Sequence, residues 1–221
     1  MKKHFYQIIT ALLLILLLTG VGCKKAAENI NGDGQTRQGF EGAAAFVSYA
    51  IFDIFWSAYE AALAIPADAS YSGGWWSFSI VLVSGESAEI EIKFQDKNQN
   101  TQKFYNPATT HYIKIKGSSS GTLGTITFDL TLSGVQTSSN TLTVNGSGTV
   151  TTGVLTASYK VNDMEVPKTI GAYPESGNIR ITFTQTSLTI TFDGSRYATA
   201  TYTFLGLSYS IKIDLDTGGI S

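Results

Sequence analysis

Few residues in this chain combine the type and the spacing that chemistry requires. Asp53 and Glu60 lie seven residues apart in a predicted helix, so both carboxylates share one face, about 10 Å apart along the axis. That separation is near the upper end of the range for the paired carboxylates of inverting glycosidases. It is also typical of the solvated edge of a mostly buried helix, which is the interpretation that we favour.

The sequence offers almost no histidine for catalysis or metal binding. His111 is the only histidine beyond the N-terminal segment, and it lies in a predicted strand. A Ser–His–Asp site would need a serine in a nucleophile turn, and no GxSxG pattern is present. The chain also lacks GxGxxG, P-loop, HExxH and EF-hand patterns. The sequence therefore predicts no catalytic residue, no metal site and no cofactor.

Two adjacent tryptophans are the other candidates for a site. Trp75 and Trp76 follow Gly73-Gly74, and exposed aromatic rings of this kind stack on a sugar or meet a membrane surface. The competing interpretation, which we favour, places one tryptophan in the core and the other at an exposed rim. Trp75, Trp76, Asp53, Glu60 and His111 are thus the candidate ligand or interface residues.

Composition excludes several classes of protein. The 221 residues carry 15 basic and 17 acidic side chains, a net charge of -2, which argues against a nucleic-acid-binding protein. A hydrophobic content of 43% is too high for a disordered chain. The single cysteine, Cys23, excludes a disulfide framework and a zinc site of the CxxC type.

The N-terminal segment has the pattern of a targeting signal. Met1-Lys2-Lys3 is positive, residues 8–18 are almost entirely apolar, and residues 19–22 are mostly small. This pattern is typical of a secretory signal peptide, and the apolar run is shorter than the roughly 20 residues that span a bilayer. Residues 1–22 are therefore predicted to be a signal peptide.

Cys23 directly follows this segment. Gly22-Cys23 resembles the lipobox of bacterial lipoproteins. The resemblance implies cleavage before Cys23, a diacylglycerol on its thiol and usually an acyl chain such as palmitate on the new amine. Two or three acyl chains would hold the protein on a membrane of the cell envelope. Lys24, where the family's inner-membrane members have Asp, favours the outer membrane.

Two segments precede the β-rich part. Residues 23–39 are polar and glycine-containing, and they are interpreted as the lipidated Cys followed by a flexible tether. Residues 40–65 are rich in Ala and aromatic residues, which predicts a helix that Pro66 ends. Because this helix is apolar almost all round, it must be largely buried. Packing on the protein's own sheet is favoured over a transmembrane or interfacial position.

From Trp75 onward the hydrophobic period is two, which predicts strands with one polar and one apolar face. Turn signals include Asn145-Gly146, Asn162-Asp163 and Asp193-Gly194. The fold class predicted is mainly β, an antiparallel meander of about 11–12 strands with one N-terminal apolar helix packed on it. The sheet is expected to form a curved sheet, an incomplete barrel or a two-layer sandwich. Residues 40–221 would form a single domain.

Three functions fit these features. We favour a membrane-anchored envelope lipoprotein with a structural or protein-interaction role, whose partner would be another envelope protein. The alternative is a carrier or chaperone that holds a lipid or another hydrophobe inside the curved sheet. A helix against a curved antiparallel sheet is similar to the outer-membrane lipoprotein-sorting proteins and, more loosely, to lipocalins, at the level of fold alone. An envelope hydrolase ranks last, and no nucleic-acid partner is expected.

Overall fold

A computed structural model describes residues 33–82, 87–121, 124–136, 138–152, 155–183, 186–204, 206–216 and 219–220. The chain divides into two compact units, Met1–Ala43 and Ala44–Ser221. In the first unit the described residues, 33–43, are helical. The second unit contains the rest of this helix and the whole sheet. The predicted signal peptide and Cys23 lie outside the described residues.

The helix, α1, spans Asp33–Leu63. It begins seven residues earlier than predicted, so residues 33–39 are helical. Gln35, Arg37 and Gln38 are good helix formers and favour this extension, whereas Gly34 and Gly39 do not. Its end at Leu63 agrees with the nearby Pro66. Among the described residues, no helix is long and apolar enough to cross a membrane.

Within the second unit, α1 is buried on almost all sides, because the consecutive residues 53–56 are all buried, and its C-terminal half lies near the loop that follows β4. Val47, Ile51, Ile54 and Phe55 are at most 2% exposed. Burial raises the pKa of Tyr59, and the adjacent Tyr105 adds to the rise. The Tyr105 ring lies 6.3 Å from that of Phe94 on the apolar face of the sheet. These contacts place the C-terminal half of α1 next to that face.

Twelve strands are found in the described residues: β1 Ser70–Ser72, β2 Trp75–Val81, β3 Ser87–Gln95, β4 Thr101–Gln102, β5 Tyr112–Gly121, β6 Gly124–Ser133, β7 Thr141–Thr152, β8 Leu155–Pro167, β9 Ser176–Thr182, β10 Ser187–Thr191, β11 Tyr197–Phe204 and β12 Leu207–Asp214. Every pairing is antiparallel, and consecutive strands pair throughout except that β4 pairs only with β3, so β5 also pairs with β3. The path runs from β1 to β12 and is not closed. The predicted fold class is confirmed, with an open sheet.

Two of the predicted turns are instead irregularities within long strands. Asn145-Gly146 lies inside β7, and Asn162-Asp163 lies inside β8. The pairing register shifts at both places, and Asp163 has a φ of 43°. Asn145 and Asp163 bond to each other: the Asn145 amide donates to Asp163 Oδ1 at 2.9 Å, and the Asp163 N–H donates to Asn145 Oδ1 at 2.9 Å. Residues that favour turns here form a β-bulge. Asp193-Gly194 does lie in a turn, between β10 and β11.

The centre of the apolar face alternates glycine with large aromatic residues along one row of the sheet. Gly117, Phe128, Gly148 and Tyr159 are direct neighbours on β5, β6, β7 and β8. Each ring covers an adjacent glycine: a Cβ on Gly117 would lie 2.8 Å from Phe128 Cζ, and one on Gly148 would lie 2.5 Å from the Tyr159 hydroxyl. Tyr159 thus crosses β7, and its hydroxyl donates to the Thr127 carbonyl at 2.7 Å. We call these four residues the central row.

Candidate functional site

The turn between β1 and β2 fixes both candidate tryptophans. Gly73 and Gly74 form its two central positions with φ of 58° and 85°, which is the backbone of a two-residue hairpin turn that glycine adopts without strain. Trp75 begins β2, and alternation along the strand then sends Trp75 and Trp76 to opposite faces. Both rings are half-buried. The expected division into one core and one rim tryptophan is replaced by two partly exposed rings.

Trp76 lies in a cluster at the edge of the sheet. Its ring centroid is 5.0 Å from that of Tyr71 and 5.4 Å from that of Phe104. The ammonium of Lys103 lies 5.3 to 5.9 Å from the three ring centroids, within the range for cation–π attraction. We call Tyr71, Trp76, Lys103 and Phe104 the edge cluster.

The edge cluster is held in place yet open to solvent. The Trp76 indole N–H donates to the Lys103 carbonyl at 2.5 Å, which ties the loop after β4 to β2. Phe104 is 57% exposed and Tyr71 is 37% exposed. Rings that are fixed by a hydrogen bond but not covered form a preorganised apolar surface, and such exposed patches mark interaction sites.

Trp75 forms a separate group on the polar face. The ammonium groups of Lys93 and Lys116 each lie 4.4 Å from its ring centroid. Lys116 also forms an ion pair with Glu91. Lys93 pairs directly with Lys114 across β3 and β5, and like charges in that position are unfavourable. These contacts anchor Trp75 over the polar face and leave two lysines without an opposite charge directly across the strand pair.

The two carboxylates of α1 have different surroundings. Asp53 is buried at 9% exposure, and Ser57 Oγ donates to its Oδ1 at 3.4 Å. Glu60 is exposed. The prediction that both belong to one solvated edge therefore fits Glu60 but not Asp53.

His111 precedes β5 by one residue, and its backbone N–H donates to the Gln95 carbonyl at 2.8 Å. Hydrogen bonds, mainly from the Asn100 side chain, lower the pKa of the nearby Asp96, and the electrostatic interaction with His111 is the smallest cause. The structure therefore places His111 beside the β3–β4 loop. Within the described ranges, no three His, Cys, Asp or Glu side chains are grouped as metal ligands usually are.

Two shallow depressions are found on the described surface, and both open on the polar face. One, of about 310 Å³, lies beside Trp75 and is lined by Ser77, Glu89, Glu91, Lys116 and Ser118. The other, of about 330 Å³, is lined mainly by Thr and Ser residues of β10, β11 and β12. The depression on β10, β11 and β12 has a mostly polar lining, which suits hydrogen-bonding ligands better than a lipid chain, and both depressions are open to solvent.

The sequence indicated the two tryptophans but not the residues around them. Tyr71, Lys103 and Phe104 come from β1 and from the loop after β4, and only the pairing of β3 with both β2 and β4 brings that loop to the start of β2. A signal was available in the run Lys103-Phe104, an exposed aromatic beside a cation in a polar turn. Comparison of the chain with protein-family models, curated proteins and solved structures gave no match.

Proposed function

We propose that this chain is a bacterial envelope lipoprotein, anchored through acyl chains on Cys23, whose sheet domain binds another envelope protein through the edge cluster. The observation that carries the interaction role is the edge cluster itself, with Phe104 at 57% exposure and Tyr71 at 37%. Tyrosine and tryptophan are enriched among the residues that dominate binding energy at protein interfaces. The outer membrane is the favoured location.

The chemistry of the edge cluster defines the partner surface. Three aromatic rings surround one ammonium group, so a matching surface would bring apolar side chains to the rings and a carboxylate to Lys103. The Lys103 charge then selects among partners, while the rings supply the apolar area. Because Trp76 already fixes the Lys103 backbone, binding would order few additional groups.

The carrier function is the second candidate, and the packing of α1 argues against it. A carrier needs an apolar cavity, whereas Ile51, Ile54 and Phe55 are at most 2% exposed. The two depressions lie on the polar face. Native mass spectrometry of the gently purified protein tests this alternative: a stoichiometric extra mass of lipid size would favour the carrier.

The interaction role is tested by site-specific photo-cross-linking in intact cells. A photoreactive amino acid at position 104 should give one discrete adduct, and the same residue at position 170 serves as the control, since Ile170 is 62% exposed but lies outside the edge cluster. Lys103→Glu in the position-104 variant should abolish the adduct by reversing the charge. Equal adducts at both positions, or no effect of Lys103→Glu, would refute the proposed interface.

The anchor is tested separately. Cys23→Ala should prevent incorporation of labelled palmitate and release the protein from the membrane fraction, because the acyl chains supply the membrane affinity. Unchanged membrane retention and labelling in that variant would show that the lipoprotein assignment is wrong, whatever the result at the edge cluster.

A further inference from the structure

The loop between β3 and β4 concentrates oxygen ligands at alternate positions. Residues 96–100 read Asp-Lys-Asn-Gln-Asn, so Asp96, Asn98 and Asn100 have the spacing of the first three ligands in D-x-[DN]-x-[DN] calcium loops. The chain departs from the full EF-hand pattern at two positions, with Thr101 instead of Gly at position six and Pro107 instead of Glu at position twelve. Any site here is thus a partial one.

Hydrogen bonds hold the Asp96 carboxylate inside the loop. Oδ1 accepts the N–H groups of Asn98 and Asn100 at 2.8 and 2.9 Å, and Oδ2 accepts the side-chain amide of Asn100 at 2.9 Å. The Asp96 N–H donates to the Asn100 carbonyl at 3.0 Å and closes the loop. These bonds explain the loop's shape without a ligand, so they do not by themselves indicate one.

Gln95 supplies the observation that does indicate a ligand. Its side chain is buried, at 8% exposure, and Nε2 donates to the Gln99 carbonyl at 2.7 Å, which directs the amide towards the loop. Its Oε1 is buried and has no hydrogen-bond partner within the described part of the protein. Exchanging the two amide atoms would not help, because Oε1 would then face the Gln99 carbonyl. A buried oxygen acceptor without a partner is unfavourable unless a donor or a cation meets it.

We propose that the loop binds a calcium ion through the Asp96 carboxylate and the side-chain oxygens of Gln95, Asn98 and Asn100, with water completing the coordination. Calcium takes six to eight oxygen ligands in flexible geometry, including carboxylate and amide oxygens. Asn100 would turn its amide so that Oδ1 replaces Nδ2. Magnesium demands near-ideal octahedral geometry and dehydrates reluctantly, so it should bind less well.

One carboxylate makes this a weak site. Calcium affinity rises with the number of charged ligands, and extracellular modules bind at about 10⁻⁴–10⁻³ M. Lys97, which is exposed within the loop, brings a positive charge close to the site and weakens it further. Half-saturation near 1 mM is therefore expected, on the order of that weak class. This inference does not depend on the proposed interaction role or on the anchor.

Equilibrium dialysis of the full-length chain in detergent with radioactive calcium tests the site directly. We expect about one bound ion per chain with half-saturation of about 1 mM, and magnesium should compete only in several-fold excess. Asn98→Ala removes a ligand from an exposed position and should weaken binding about fivefold. Gln95→Met keeps the length of the side chain but removes its oxygen, so it should weaken binding about fivefold.

Asp193→Asn is the matched control. Asp193 is also an exposed turn aspartate with a hydrogen-bond-lowered pKa, but its turn has no buried oxygen without a partner among the residues described. Asp96→Asn should abolish binding, whereas Asp193→Asn should leave it unchanged. No binding up to about 20 mM calcium by wild-type protein that circular dichroism shows to be folded would overturn the proposal. Equal loss in both Asn variants, or unchanged binding in Gln95→Met, would do the same.

Discussion

Both the central row and the edge cluster contain aromatic side chains, but these side chains have different roles in the two places. In the central row, Phe128 and Tyr159 are 4% and 2% exposed, and each lies over a glycine of the neighbouring strand. In the edge cluster, Trp76 and Phe104 lie beside each other, yet Phe104 is 57% exposed. Both groups of rings are fixed by a hydrogen bond to a backbone carbonyl. The difference lies in what covers them, and it separates aromatic residues that hold the fold from those that are available to a partner.

Phe128→Ala should show the largest effect and defines one side of this comparison. Phe128 is buried between Gly117 and Gly148, two residues without side chains that could fill the space it leaves. Truncation of a buried Phe costs about 3–5 kcal/mol, and poor local collapse favours the upper part of that range. Urea denaturation followed by circular dichroism measures the loss. A loss below about 1 kcal/mol would mean that the ring is not the packing element described above.

Gly148→Ala tests the packing of the central row by adding an atom at a glycine instead of removing a ring. An added Cβ would collide with the Thr127 carbonyl and lie 2.5 Å from the Tyr159 hydroxyl, so the ring must move and its hydrogen bond must break. We expect a loss of about 3 kcal/mol from overpacking.

Gly42→Ala is the matched control for Gly148→Ala. Gly42 lies within α1, and a Cβ there would meet nothing within 4 Å. Replacing a helical glycine by alanine should stabilise the protein by about 0.5–1 kcal/mol. Similar urea midpoints for the two variants would contradict the close packing of the central row.

Tyr159→Phe removes only the hydroxyl and should have an intermediate effect. Without its donor, the buried end of the ring loses the 2.7 Å bond to the Thr127 carbonyl, at a cost of about 1–2 kcal/mol. Burial raises the pKa of Tyr159 well above its usual value of 10.0. The unfolded chain therefore releases this proton first, so stability is present below pH 10 and is lost as the pH rises beyond it.

The fall in stability at alkaline pH isolates the contribution of Tyr159. Burial also raises the pKa of Tyr105, so wild-type stability should fall above pH 10 for more than one reason. The free energy of unfolding of Tyr159→Phe should decline less steeply than that of the wild type between about pH 10 and pH 11. Parallel slopes would show that Tyr159 does not carry the effect.

Periodicity predicted the parts of this fold that depend on local pattern. Alternation in β3 and β6 located strands and their buried faces, since the residues that alternate on one side are the buried ones. The prediction failed where residue types that favour turns lie inside a strand. Asn145 and Asp163 bond to each other across two strands, and this pairing is not visible from either strand alone. The edge cluster could not be predicted from the sequence for the same reason. Tyr71 and Phe104 are 33 positions apart and meet only through strand pairing.

Phe104→Ala should have the smallest effect on stability, and it completes the comparison with Phe128→Ala. The same truncation, made at a ring that is 57% exposed, removes little buried area, so the expected loss is below about 0.5 kcal/mol. Its effect should appear instead in partner binding, where removal of one of three rings lowers the apolar area next to Lys103. The two phenylalanines thus give opposite results in the two assays: Phe128→Ala lowers stability severalfold more, and Phe104→Ala selectively weakens the cross-linked complex. A stability loss at Phe104 comparable to that at Phe128 would mean that the edge cluster is part of the packed core rather than a surface kept for a partner.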